Sequence, residues 1–236
     1  MKGSVFLIPT YLSENNDSNF LAPMVLDIVR SIDYFLVENV RTARRFVSSL
    51  NLGLDISTLN FEEVNKNSDA RAIHELMQQV LQGKDVAVMS EAGLPGLADP
   101  GGLIVKFAHQ HELKVVPLPG ASSIQTALIC SGFNGQQFSF HGYLPIQKPE
   151  RVAYMKKMEQ LLKQTNATQI FMETPFRNMS LMNDLLATLD PTTLLSIASD
   201  VFGRNEILKT QSVKAWKSSQ VDLHKIPTVF SIGFFS

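Results

Sequence analysis

The sequence predicts an α/β protein with two domains: a parallel-sheet domain over residues 1–117 and a mixed-sheet domain over residues 118–236. In the first half, short and fully apolar runs alternate with helical patterns, which is typical of a parallel sheet covered on both faces. In the second half, strand-like runs follow one another with fewer helices between them, which indicates a mixed sheet. Two prolines stiffen the segment Pro117-Leu118-Pro119-Gly120, so we place the domain boundary there.

The pattern of the first domain favours four strands and four helices. Apolar residues that recur every three or four positions mark the helices. The clearest helix, residues 68–82, has Ser68 as its expected N-cap and Gly83 at its end. Strands are predicted at 5–8, 35–37, 85–89 and 114–116, and helices at 20–32, 41–50, 68–82 and 102–110.

The pattern of the second domain favours five strands and three helices. Cys130 lies in an apolar helix and is expected to be buried. His141 lies in a strand, where a hydrogen-bonded structural histidine is expected more often than a catalyst. Strands are predicted at 138–143, 169–172, 194–198, 206–208 and 228–232, and helices at 121–131, 150–164 and 176–188.

The composition is that of an ordinary globular protein. Of 236 residues, 44% are hydrophobic and 18% are charged, which argues against a disordered chain. The formal net charge of −1 gives no overall basic surface for nucleic acid, so such a partner would need a local patch. A single cysteine excludes an internal disulfide and favours a reducing compartment. Apolar runs are too short for a membrane span or a signal peptide, so we expect a cytoplasmic protein without membrane contact.

An unusual loop, SEAGLPGLADPGG, occupies residues 90–102 directly after the strand predicted at 85–89. Its four glycines allow positive φ and close approach of other atoms, and its two prolines stiffen it. Because ligands of parallel sheets bind at the carboxyl ends of the strands, this loop predicts a ligand site. Neither a G-x-G-x-x-G nor a P-loop pattern is present, and no His/Cys spacing predicts a metal. Asp99 is expected either to cap the next helix or to contact a ligand.

Five segments, in order along the chain, resemble the tetrapyrrole methylase superfamily, and most closely its branch that methylates a ribose 2′-hydroxyl of 16S ribosomal RNA. SEAGLPGLADPG is similar to S-D-A-G-T-P-x-x-x-D-P-G, and VVPLPGASSIQTALICSGF is similar to V-x-P-x-P-G-x-S-A ending in S-G. FSFHGYLP resembles F-x-F-x-G-F-L-P, METPFR resembles Y-E-S-P-H-R, and ENVRTARRF falls where the branch has E-D-T-R-x-T-R. Each segment alone is weak evidence, but five in the family order are strong evidence.

The resemblance implies a tetrapyrrole-methylase-like fold, with S-adenosylmethionine bound in a cleft between the domains, no metal, and a homodimer. Its partners would be S-adenosylmethionine, released as S-adenosylhomocysteine, and ribosomal RNA or the small ribosomal subunit. Glu91 and Arg177 are the implied catalytic residues, and Arg41, Arg44, Arg45 and Arg177 the implied RNA-binding ones. The implied cofactor-binding residues are Pro9, Ser90, Glu91, Ala92, Gly93, Leu94, Pro95, Ala121, Ser122, Ser123 and Met172.

Departures from the family pattern leave other interpretations open. Glu91 replaces an aspartate, Leu94 a threonine and Phe176 a histidine, and the G-T-P-I-G-N segment is not recognisable in IPTYLSENN. The C-terminal extension of the ribosomal enzymes is not found after Ile232. Glu91 could be a solvated loop acid, and the arginine cluster a solvated helix face. The alternative functions are methylation of a small molecule such as a tetrapyrrole precursor, or S-adenosylmethionine binding without catalysis.

Overall fold

The computed structural model describes residues 2–13 and 20–235. The chain divides into two compact units, Met1–Ser122 (unit 1) and Ser123–Ser236 (unit 2). Most of IPTYLSENN lies in the described part, but its last three residues, 14–16, lie outside it. Within residues 2–13 and 20–235, every helix is too short or too polar to cross a membrane.

Unit 1 alternates strands and helices, as predicted. Its elements are β1 (Ser4–Leu7), α1 (Pro23–Ser31), β2 (Tyr34–Val37), α2 (Val40–Ser49), a 3-10 turn (Ile56–Thr58), β3 (Asn60–Glu63), α3 (Ala70–Leu81), β4 (Val86–Met89), α4 (Gly101–Gln110) and β5 (Lys114–Pro117). The five strands form one parallel sheet in the order β3-β2-β4-β1-β5. The predicted α/β class with a parallel sheet in the first half is confirmed.

The central strands of unit 1 are apolar because both faces of the sheet are covered. All four residues of β2 and all four of β4 are buried. Two apolar clusters contain these side chains: one includes Phe35, Val37 and Ala87, and the other includes Tyr34, Leu36 and Val88. Alternate residues of a strand point to opposite faces, so each strand contributes to both clusters.

Two features of unit 1 differ from the sequence prediction. Strand β3 was not predicted, because Phe61 is its only apolar residue and this edge strand has one neighbour, β2. The N-cap of α3 is Asp69 rather than Ser68. The Asp69 side chain accepts a hydrogen bond from the Ala72 N–H, whereas the Ser68 hydroxyl accepts one from the Asn65 N–H in the preceding turn.

Unit 2 holds a mixed sheet, as predicted. Its elements are α5 (Ser123–Ser131), β6 (Phe138–Tyr143), α6 (Lys148–Thr165), β7 (Thr168–Met172), a 3-10 turn (Pro175–Arg177), α7 (Asn178–Thr188), β8 (Leu194–Ser199), β9 (Ile207–Ser212), α8 (Val213–Lys217) and β10 (Thr228–Gly233). The strand order is β6-β7-β10-β8-β9. Strands β6 and β7 are parallel, and the other neighbours are antiparallel.

The core of unit 2 is built by helices α6, α7 and α8 on one face of this sheet. Trp216 of α8 is 2% exposed and donates its indole N–H to the Leu195 carbonyl at 2.8 Å. Helix α8 was not predicted, because five residues are too few to show a helical period. His141 is hydrogen-bonded to the Tyr154 hydroxyl and to the Gln169 side chain, which gives it a structural role. The expectation that Cys130 is buried is wrong, since it lies on the exposed side of α5.

Candidate active site

Three loops of unit 1 meet at one edge of the parallel sheet. Strands β4, β1 and β5 are neighbours, so the loops that follow them share the carboxyl edge. The loop after β1 contacts the loop after β4, because the Thr10 N–H donates to the Gly93 carbonyl at 2.9 Å. Beyond β5, the Leu118 N–H continues the pairing by donating to the Leu7 carbonyl at 3.2 Å. The glycine-rich loop therefore has its expected position at a strand end.

Two glycines allow these loops to pack closely. Gly93 has φ of +76°, and a Cβ there would lie 3.0 Å from the Leu12 Cδ2 and 3.4 Å from the Ala121 carbonyl oxygen. A Cβ at Gly120 would lie 2.1 Å from the Cβ of Pro9, a distance too short for any residue with a side chain. Glycine is thus required at position 120, and at position 93 a side chain would be strained by the left-handed backbone and would press against the Leu12 side chain.

Asp99 fixes the far end of the glycine-rich loop. Its Oδ1 accepts hydrogen bonds from the Gly96 N–H at 2.9 Å and the Gly101 N–H at 2.6 Å. Gly101 begins α4, so the carboxylate satisfies a backbone donor of the first helical turn. Pro100 occupies the N-cap position of α4, and the second oxygen of Asp99, Oδ2, is buried and forms no hydrogen bond among the described residues.

Backbone donors remain available in the middle of the same loop. Within the part of the chain that the structure describes, the N–H groups of Ala92 and Leu94 form no hydrogen bond. Ser90 is buried, and its hydroxyl donates to the Ala92 carbonyl at 3.2 Å. A neighbouring pair of unpaired N–H groups at a strand end suits an anionic or carbonyl group of a ligand.

Glu38 lies beside this loop and was not predicted as a site residue. It follows β2, the other neighbour of β4, and its Oε2 accepts a hydrogen bond from the Glu91 N–H at 3.2 Å. Burial raises the pKa of Glu38; the hydrogen bond from the Glu91 N–H lowers it in part, and the carboxylates of Glu91 and Asp99 raise it by smaller amounts, so the pKa is raised. The sequence signal for Glu38 is its place at the start of ENVRTARRF, in which only the arginines are predicted site residues.

The arginine cluster extends this edge on α2. Arg41, Arg44 and Arg45 are all exposed, and their spacing places them on one side of the helix. The Arg44 guanidinium lies 5.5 Å from the centroid of the Phe61 ring. Helix α2 begins two residues after Glu38, so Arg41 in its first turn is close in sequence to Glu38.

The remaining predicted site residues belong to unit 2. Ser123 begins α5, Met172 ends β7, and Arg177 lies in the 3-10 turn that follows. The structure thus groups Pro9, Ala121, Ser122 and residues 90–95 in unit 1, and places Met172 and Arg177 together at the end of β7.

Arg177 is held by a buried carboxylate. Its Nε and Nη2 each donate to Glu173 at 2.8 Å, and the Glu173 side chain is 1% exposed. Burial acts to raise the pKa of Glu173, but hydrogen bonds from Arg177 and Thr174 and the Arg177 charge outweigh it, so the pKa is lowered. This bidentate pair fixes the direction of the guanidinium, which is still partly exposed.

No metal site is found among the described residues, where no three His, Cys, Asp or Glu side chains are arranged to hold an ion.

Comparison with known proteins identifies a family. Residues 19–213 match the family described as Tetrapyrrole (Corrin/Porphyrin) Methylases. Two similar relatives are both named Ribosomal RNA small subunit methyltransferase I. The protein of Bacillus subtilis is 35% identical over 78% of this chain and 60% of its own length. That of Buchnera aphidicola is 29% identical over 84% of this chain and 66% of its own length. The chain therefore spans less than two thirds of either relative.

A solved structure shares the fold. The uroporphyrin-III-C-methyltransferase of Thermus thermophilus matches with a TM-score of 0.58 at 16% identity, over 98% of this chain and 94% of that protein. At this identity the likeness describes the fold alone.

Proposed function

The chain belongs to the tetrapyrrole (corrin/porphyrin) methylases, and from this membership we propose that it is an S-adenosylmethionine-dependent methyltransferase acting on a ribose 2′-hydroxyl of small-subunit ribosomal RNA. The names of its relatives support ribosomal RNA as the acceptor. The observation that carries the proposal is the meeting of the three loops at the carboxyl edge of β4, β1 and β5.

The edge of unit 1 fits a cofactor with polar groups at both ends. The unpaired N–H groups of Ala92 and Leu94 would bind an oxygen of S-adenosylmethionine. The closely packed segments at Gly93 and Ala121 would form one wall of the cofactor site. Pro9, Ser90, Glu91, Pro95, Ser122, Ser123 and Met172 complete the proposed cofactor-binding set.

The acidic pair beside the loop would handle the proton of the acceptor. S-adenosylmethionine supplies a methyl group on a positively charged sulfur, and transfer to a hydroxyl requires loss of the hydroxyl proton. A carboxylate whose pKa is raised is a better proton acceptor, and Glu38 has that property. Glu91 lies next to it, and the charge of its carboxylate would help Glu38 to accept this proton by raising the pKa of Glu38.

The basic residues would bind the phosphates of the RNA. Arg41, Arg44 and Arg45 present three exposed charges on one helix side. Arg177 is directed by Glu173 and would make a bidentate contact of the kind that suits phosphate oxygens. Phosphate contacts of this kind orient a nucleic acid without reading its sequence.

Two measurements test the proposal. Calorimetric titration with S-adenosylhomocysteine is expected to show one site per chain, and absence of heat at several temperatures would overturn the cofactor assignment. Methyl-labelled S-adenosylmethionine is then supplied with small ribosomal subunits from cells lacking this gene, with a tetrapyrrole precursor assayed in parallel. A 2′-O-methyl group removes the nucleophile that cleaves RNA in alkali. We therefore expect the label to appear in an alkali-resistant dinucleotide. Label found only in the tetrapyrrole would show that the acceptor is the small molecule and not RNA.

A further inference from the structure

Unit 2 carries a patch of exposed aromatic and basic side chains at the end of β6 and β7. Tyr143 ends β6 and is in register with Met172, which ends β7. Phe176 and Arg177 lie in the turn after β7. Lys225 precedes β10, whose beginning pairs with the end of β7. We refer to Tyr143, Phe176, Arg177 and Lys225 as the aromatic–basic patch.

The aromatic rings of this patch are unusually accessible. Phe176 is 71% exposed and Tyr143 is 56% exposed. Phe176 is therefore not part of the unit 2 core, although it lies next to Arg177, whose partner Glu173 is buried. Two large rings beside cations at one sheet edge are the composition of a surface that stacks on flat groups.

Lys225 is fixed close to Phe176. The Lys225 Nζ lies 5.8 Å from the centroid of the Phe176 ring, and the backbone N–H of Lys225 donates to the Pro175 carbonyl at 3.0 Å. The backbone of Lys225 has φ of +60°, a left-handed conformation that side chains other than glycine, asparagine and aspartate rarely adopt. Within residues 2–13 and 20–235, no carboxylate forms an ion pair with its ammonium group. The lysine charge is thus held beside the ring and is free to bind an anion.

An unpaired nucleotide matches this arrangement. It combines a flat base with a negatively charged phosphate, and single-stranded RNA is commonly bound by stacking of bases on aromatic side chains next to basic residues. We propose that Phe176 and Lys225 bind an unpaired RNA nucleotide, with its base stacked on the Phe176 ring and its phosphate at the Lys225 ammonium. This inference rests on the proposed function, because it specifies how the RNA acceptor is held, with Arg177 and Tyr143 beside it.

Affinity for a short oligonucleotide tests the patch without any turnover. The probe is a fluorescein-labelled single-stranded RNA of about 10 nucleotides, within the site sizes of single-strand binders, followed by anisotropy. Phe176→Ala is expected to raise Kd roughly 5- to 150-fold, the effect of losing one base–aromatic stack. Phe176→Tyr keeps a ring and should retain most of the affinity.

The charge is tested separately through its salt dependence. Lys225→Asn removes the ammonium group with a residue that tolerates the left-handed backbone. It is expected to reduce the slope of log K against log salt by about 0.7, the value for one phosphate contact to a single strand. An unchanged slope would show that Lys225 binds no phosphate.

A matched control lies on the same strand as Tyr143. Phe138 begins β6, at the opposite end from Tyr143, and is 50% exposed, so Phe138→Ala removes an exposed ring away from the patch. Equal weakening by Phe138→Ala and Phe176→Ala, or no binding by the unaltered protein, would overturn the inference. Failure of the proposed function has a different readout, because the S-adenosylhomocysteine titration is expected to be the same for Phe176→Ala and the unaltered protein.

Discussion

Gly93 lies where a single added atom would contact both neighbouring loops of the carboxyl edge. Its carbonyl accepts the hydrogen bond that joins the loop after β1 to the loop after β4. Its φ of +76° lies in the left-handed region, and a Cβ would meet Leu12 and Ala121 on the two neighbouring loops. An alanine there would have to hold a left-handed backbone and displace the end of the Leu12 side chain.

Replacement of Gly93 by alanine is therefore expected to weaken cofactor binding. A left-handed backbone costs an alanine about 1–2 kcal/mol. If the loop must keep this conformation to bind the ligand but relaxes without it, this cost raises the Kd roughly tenfold. Calorimetry with S-adenosylhomocysteine should show at least this loss of affinity. Gly102→Ala is the matched control, because nothing lies within 4 Å of its added Cβ, its φ is ordinary, and it sits in the first turn of α4. Equal affinities of the two variants would refute the role of Gly93.

At the scale of elements, a buried ion pair joins helix α6 to helix α7. Arg151 donates from Nε and Nη2 to the Asp184 carboxylate and from Nη1 to the Ile146 carbonyl at 2.6 Å. Both charged side chains are at most 7% exposed. One guanidinium thus fixes α6, α7 and the loop that leaves β6, the same loop that follows Tyr143.

This pair predicts a specific loss of stability in acid. Burial acts to raise the pKa of Asp184, but hydrogen bonds from Arg151 and Lys148, together with their charges, outweigh it, and the pKa is lowered. A lowered folded-state pKa stabilises the protein above the unfolded-state pKa, about 3.9 for aspartate, and this stabilisation disappears as the pH falls through the folded-state value. Asp184→Asn should cost about 3–5 kcal/mol at neutral pH and flatten the dependence of the unfolding free energy on pH below about 4.

Urea unfolding at a series of pH values measures this effect. Asp27→Asn is the control, since Asp27 forms an ion pair with Arg30 at the surface and its side chain is 72% exposed. Exposed pairs contribute at most about 1 kcal/mol, so this variant should follow the unaltered protein. The same acid profile for Asp184→Asn as for the unaltered protein would contradict the assignment.

Helices and strands with a regular pattern of apolar residues were predictable from the sequence. Elements whose formation depends on contact with one neighbouring element were not. The central strands β2 and β4 are uniformly apolar because both faces are buried, and that is visible in the residues alone. Strand β3 has a single apolar side chain and exists because β2 offers a free edge. Helix α8 depends on the burial of Trp216 rather than on a repeated face.

The candidate site was predictable to the extent that it depends on backbone geometry. Glycines and prolines mark the loop after β4 without knowledge of the fold, because few other residues allow such conformations. Glu38 could not be selected from spacing, since its contact with Glu91 arises from the pairing of β2 with β4. The pairing of Arg177 with Glu173 also depends on the turn that connects β7 to α7.

At the scale of the whole molecule, the net charge of −1 restricts how the proposed RNA acceptor would be bound. A protein with 21 basic and 22 acidic residues has no general attraction for polyanions, so its affinity must come from a few local contacts. The exposed arginines of α2 and the aromatic–basic patch are such local features. Selectivity for a particular RNA is easier to achieve on this background than on a uniformly basic surface.

Cofactor binding should raise the thermal stability of the chain. A ligand that binds only the folded protein at 100 times its Kd contributes about 2.7 kcal/mol. For a chain of this size, that corresponds to an increase of roughly 5–10 °C in the midpoint of the transition that includes unit 1. Differential scanning calorimetry with S-adenosylhomocysteine measures the shift, and adenosine alone at the same concentration is the control. An unchanged midpoint at saturation would exclude binding to the folded edge.

The strand order of unit 1 also determines when, during synthesis, the three loops at the carboxyl edge of β4, β1 and β5 can come together. Strand β1 leaves the ribosome first, but its two neighbours are β4 and β5, through the pairs Val5–Val86 and Ser4–Lys114. Parallel pairing over such separations requires closure of long loops before any contact is gained, which makes it slow. The nascent chain must therefore hold an unpaired β1 until residues 86–89 have emerged, and the second side of β1 stays unpaired until residues 114–117 follow. Translation of nearly all of unit 1 precedes the first moment at which the three loops can meet.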